Sequence, residues 1–182
     1  MTRQIRIAWI IATCLSALPT WAYADSCAPP GGKRIYAAPS GQYGFNLTFR
    51  QGKPPEGVLF LLTNWSNKQT TVWRRPLTAP PAHVLVSDGG NVITLDLHCR
   101  AGWEHALVVY GEKGQPIADY RLEDLLTSEE IRDRTVSSVS SRNWLAGANF
   151  EFERNQSVNL FKISLPWGRQ IAVDLATGKL RP

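Results

Sequence analysis

The chain lacks an apolar stretch long enough to cross a membrane as a helix. Such a span needs roughly 20 residues, and the longest mostly apolar run, Ile7 to Pro19, falls well short. Histidine and cysteine are scarce at three each, and methionine occurs once. Two histidines and a cysteine, His98, Cys99 and His105, come close in sequence but lack the regular ligand spacing of a zinc site, so no metal is expected. Charge of neither sign dominates. A formal net charge of +5, with 19% charged residues, gives no basic stripe of the kind that reads as a nucleic-acid surface. Catalytic signatures are missing as well. There is no Gly-x-Ser-x-Gly elbow. Gly111-Glu112-Lys113-Gly114 follows a strand pattern but opens into another strand, so no helix N-terminus stands ready for a phosphate. Asp88 and Asp96 lack the alternating oxygen ligands of a calcium loop. No cofactor is expected.

What is present begins with a leader. Met1 to Arg6 carries Arg3 and Arg6, an apolar core follows, and Thr20-Trp21-Ala22-Tyr23-Ala24 supplies small residues, the three regions of a secretory signal peptide. Residues 1–24 are read as that signal, cleaved after Ala24 for export to the periplasm or beyond. A lipoprotein reading at Cys14 suffers from Thr13 and a very short preceding core. Residues 25–42, rich in Pro, Gly, Ala and Ser, are expected to be an irregular lead-in. Residues 43–182 make one domain, with enough chain for a core. Cys27 and Cys99 are then the only cysteines left, and in an oxidising compartment a disulfide between them is the simplest expectation.

Period-two alternation dominates the remainder. Phe45, Leu47 and Phe49 oppose Asn46, Thr48 and Arg50; Ile93, Leu95 and Leu97 oppose Val92, Thr94 and Asp96; Phe150 and Phe152 oppose Glu151 and Glu153. Val58 to Thr63, Thr70 to Arg74 and His83 to Val86 add shorter runs. Ala106 to Tyr110 is continuously apolar, as in a strand covered on both faces. Pro116 belongs at a strand start. Phe161 to Leu165 and Ile171 to Leu175 close a hairpin over Pro166-Trp167-Gly168. One helical passage, Leu122 to Arg134, contains a capping box at Thr127 and Glu130. Ser137 to Ser141 reads as a polar loop. About ten strands at this spacing predict an all-β fold, mostly an antiparallel meander, arranged as a sandwich or an incomplete propeller-like sheet.

Residues 82–121 are the clearest meander, and there the chain resembles a β-propeller blade. The likeness is carried by Ser87-Asp88-Gly89-Gly90, Val108-Val109-Tyr110 and Glu112-Lys113-Gly114, with Asp174-Leu175-Ala176-Thr177-Gly178-Lys179 similar to the outer turn of another blade. The stretch also resembles uncharacterised bacterial exported proteins, which imply no activity.

For chemistry, His83, His98 and His105 are the candidate bases, and Asp96, Glu104, Glu151 and Glu153 the candidate carboxylates. Ser87 beside Asp88 is better explained by turn formation. Solvated charge is the ordinary outcome for Glu151 and Glu153 on the polar face of a strand. Aromatic residues give the remaining signal: Trp65, Trp103 and Trp167 fall in turns, where a ring can stack on a sugar or anchor a protein, or simply cap the core. Arg74 and Arg75 beside Trp73 form either a basic, aromatic patch or a charge-protected edge strand. The expectation is an exported, non-enzymatic β domain that binds a protein or glycan of the cell envelope, and not nucleic acid. The competing expectation is an envelope hydrolase using His98 or His105 with a nearby carboxylate.

Overall fold

Short strands bounded by turn residues bury their apolar side chains only by pairing into sheets and stacking, and this chain does so three times. The computed structural model describes residues 31–62, 69–155 and 159–182. The first sheet is the antiparallel meander β1 (Gly32–Ala37), β2 (Tyr43–Phe49), β3 (Glu56–Leu62) and β4 (Gln69–Pro76). The second is β5 (Pro81–Val86), β6 (Val92–Leu97), β7 (Leu107–Tyr110) and β8 (Pro116–Tyr120). Two short helices follow, α1 (Leu122–Leu125) and α2 (Ser128–Arg134), then the small hairpin β9 (Val136–Ser137) and β10 (Arg142–Asn143). The third large sheet is β11 (Asn149–Arg154), β12 (Asn159–Ser164), β13 (Gln170–Asp174) and β14 (Leu180–Arg181).

The fold is therefore all-β with one short helical passage, and its sheets do not close into a barrel. Each large sheet is a four-stranded up-and-down meander, so the pattern read in residues 82–121 occurs on both sides of that stretch as well.

Side-chain alternation shows how the sheets stack. Val84, Val86, Val92, Val108 and Tyr110 face the first sheet, where they meet Phe45, Leu47, Leu59 and Trp73 in one core. Ile93, Leu95, Leu107 and Val109 face the other way and pack with Leu122, Leu125, Trp144, Phe161, Ile163 and Val173 in a second core. The second sheet is thus the middle layer.

Several expectations need correction. Residues 92–96 are not half-buried: both faces of the middle sheet are covered, and Val92, Thr94 and Asp96 are as buried as their neighbours. The supposedly irregular lead-in contains β1, paired with β2 over its full length. The polar loop expected over Ser137 to Ser141 is the turn of a short hairpin, with Ser137 itself the last residue of β9. Fourteen strands lie among the described residues, against about ten expected.

The helical passage agrees with its sequence. Thr127 caps α2 by accepting from the Glu130 amide, and the Glu130 carboxylate accepts from the Thr127 amide in return. Asp174 closes the last turn in a comparable way, its carboxylate accepting from the Ala176 and Thr177 amides and from Arg181. These bonds, led by the Arg181 guanidinium, hold its pKa down at about 2.

Candidate binding site

Strand direction decides which loops can cooperate. Glu56 pairs with Pro76, Pro81 with Leu97, and Leu107 with Tyr120, so the β2–β3 and β4–β5 connections share one end of the first sheet, and the β4–β5 and β6–β7 connections and the end of β8 share one end of the second. The His98 amide donates to the Pro80 carbonyl at 2.9 Å and joins two of these loops directly. The opposite end is held by Arg154 Nη1 donating to the Asp88 carbonyl and by Asn91 Nδ2 donating to the Leu175 carbonyl. The turn of Pro166 to Gly168 consequently lies at the first end, and the strand ends Leu62 and Gln69 at the second.

Two concavities occupy the first end. One is a groove of about 620 Å³ between the β2–β3 turn and the β4–β5 connection. Its walls are mostly apolar, built from Phe49, Pro54, Pro55 and Pro80, with Arg50 and Lys53 also lining it. Proline supplies this wall for a simple reason: two consecutive rings fix the backbone of the turn and expose hydrocarbon without a donor to satisfy. Arg34 sits over the Phe49 ring, 5.6 Å from its centroid, and adds a further cation nearby.

The other concavity, about 310 Å³, is lined by Glu104, His105, Asp119 and Arg121. Both Asp119 carboxylate oxygens lie 2.8 Å from His105 Nδ1. An ionised carboxylate can only accept, so Nδ1 carries the proton and Nε2 is left for other partners. His105 has φ +55°, in the left-handed region that costs a side-chain-bearing residue about 1 kcal/mol or more. Asp96 (φ +56°) and Cys99 (φ +77°) share this conformation, and these three are the only non-glycine residues with positive φ among those described. Backbone strain is thus concentrated between residues 96 and 105.

Asp96 holds that loop from within. Its Oδ1 accepts from the Gly102 amide at 2.8 Å and from Trp144 Nε1 at 2.9 Å. Burial pushes its pKa up, against the opposing pull of these two bonds and of His83.

The expected site residues fare unevenly. Trp103 is near this end, but one face of its indole is taken by the Arg142 guanidinium, 3.8 Å from the ring centroid, which also donates to Glu123 at 2.6 Å. Trp167 donates to Glu130 and packs against the second core. Trp65 and Cys27 lie outside the described residues. Arg74 pairs with Glu56, and Arg75 donates to the Lys113 carbonyl in the β7–β8 turn. Cys99 is on the β6–β7 connection and its side chain is engaged.

The candidate bases do not converge. His83 is an exposed residue of β5, His98 follows β6, and only His105 meets a carboxylate at hydrogen-bond distance. That carboxylate is Asp119, which, like Arg121, is not among the candidates drawn from the sequence. Folding the hairpin about Glu112-Lys113-Gly114 brings Leu107 opposite Tyr120 and makes the meeting of His105 and Asp119 legible afterwards. Among the described residues no group of three or more His, Cys, Asp or Glu side chains could hold a metal ion, and no helix is long and apolar enough to span a membrane. Compared with known proteins, the chain matches no family model and no curated sequence.

Proposed function

We propose that this chain is an exported β module of the cell envelope that binds an extended, apolar protein segment with acidic neighbours in the groove formed by Phe49, Pro54, Pro55 and Pro80. The observation that carries the reading is this apolar wall with Arg50 and Lys53 beside it, between the β2–β3 turn and the β4–β5 connection. Apolar surface left open to solvent costs free energy that a partner recovers by covering it, and the neighbouring cations favour an acidic partner over a basic one. Export rests on the leader, residues 1–24. A disulfide between Cys27 and Cys99 belongs to the same reading, supported by the engaged Cys99 side chain and by the presence of one other cysteine after the leader.

A hydrolase is supported less well. The His105–Asp119 pair supplies an oriented imidazole, but no hydroxyl or thiol is among the four residues lining that cavity.

The groove is tested by titrating the protein with a short peptide of Asp, Leu and Pro and with its Lys-for-Asp counterpart. Phe49→Ala removes a ring whose burial is worth about 1.5–3 kcal/mol, so affinity for the acidic peptide should fall roughly tenfold or more. Lys53→Glu should weaken it further at low salt, with circular dichroism checking that both variants fold. Equal binding of the two peptides, or indifference to both substitutions, refutes the groove.

A further inference from the structure

The cavity of Glu104, His105, Asp119 and Arg121 is chemically unlike the groove and shares no lining residue with it. We propose that it is a second binding site, for a small carboxylate that carries hydroxyl groups, the chemistry of a sugar acid or hydroxy acid.

The argument starts from what each side chain has left to offer. Asp119 is committed to His105, with both oxygens at 2.8 Å from Nδ1. With Nδ1 donating to Asp119, His105 leaves Nε2 for a ligand, and the second carboxylate, Glu104, only accepts. A ligand hydroxyl suits both, since it can donate to Glu104 and can donate to or accept from Nε2. Arg121 contributes the opposite chemistry. Its guanidinium stands close enough to Glu123 to help hold that carboxyl's pKa down, and its planar fork matches a carboxylate. Glu104 and Asp119 together oppose a second negative charge, which favours a monoanion over a phosphate dianion. A volume of about 310 Å³ is at the small end of the range for ligand sites.

The scaffold holds these groups in place. The Leu122 amide donates to the Trp103 carbonyl at 3.2 Å, tying the loop before His105 to the residue after Arg121. Leu107 paired with Tyr120 fixes the other side. A histidine used only to staple the loop would explain the Asp119 bond and the strained φ, but it would leave Arg121 and Glu104 lining the same space without a role.

Nitrogen-15 spectra of the histidine side chains test the proposal on the intact protein, with His105→Gln assigning the resonance. The probes are glucuronate, galacturonate, gluconate and lactate, with glucose and inorganic phosphate as controls. A saturable shift of the His105 Nε2 signal is expected with at least one of the four acids at millimolar concentration, and none with glucose. Arg121→Gln should weaken that response about tenfold or more, the loss expected for a charge-assisted bidentate pair. Lys53→Glu should leave it unchanged, which separates this site from the groove. No saturable shift with any of the four acids overturns the proposal, as does an equal response to phosphate or an undiminished response in Arg121→Gln.

Discussion

Asp96 shows how a single residue can be well read in its backbone and misread in its surroundings. Its strand was legible from alternation, yet that alternation also marked Asp96 as outward-facing and polar. The face on which Val92 lies packs on the first sheet, and Asp96 reaches Trp144, 48 residues further on; nothing local to residues 92–97 reports either contact. Buried instead, Asp96 holds Gly102 and Trp144 through one oxygen. Burial raises its pKa in the folded state. A raised carboxylate pKa means that the folded state binds the proton more readily than the unfolded one. Its contribution therefore favours folding below the unfolded pKa and is lost as the pH climbs through the folded value. Asp96→Asn keeps an acceptor, suits positive φ and removes the buried charge. Urea denaturation should find this variant close to the parent protein in stability at about pH 4, and equal or more stable at neutral pH. A variant that loses stability steadily as the pH rises would show that the charge itself is needed.

At the scale of elements, legibility followed burial. Strands that put alternate side chains into a core, β2, β12 and β13, left a period-two trace, as did β6, whose alternate side chains enter two different cores; β11 alternates as well, though none of its residues is fully buried. β1 left none, because five of its six residues are exposed and it is held to β2 by backbone pairing, which has no side-chain signature. The capping box of α2 was legible because its chemistry is local. The site divided along the same line. His105 and Glu104 were visible as candidate residue types, whereas Asp119 and Arg121 joined them only through the register of β7 with β8. A contact of another kind lies on the outer face of the first sheet, where the Phe60 ring covers Gly44 on the neighbouring strand. A methyl group at Gly44 would fall 2.3 Å from the ring. Gly44→Ala should therefore cost about 1–3 kcal/mol, the scale of overpacking, measured by urea denaturation. Combining it with Phe60→Leu should recover part of the loss. If Gly44→Ala is as stable as the parent protein, the ring is free to move aside.

Across the whole molecule, local patterns supplied strands but not their grouping into sheets. Turn residues mark where a strand ends and are silent on which sheet the next strand joins. The stack has one layer with both faces covered and two layers with one. Amide hydrogen exchange should follow that order, with Ile93, Leu95, Val108 and Val109 in the middle sheet slowest and the edge strands β1 and β14 fastest. Uniform protection across the three sheets would contradict it. The same layering bears on synthesis. The first core draws only on residues before 111 and the second requires residues after 121. As the chain emerges from its N-terminal side, the first two sheets can dock while the far face of β5–β8 is still bare. Leu122, Leu125 and Leu126 are the earliest side chains to shield that face, so the short helical passage is placed where a nascent chain first needs a cover.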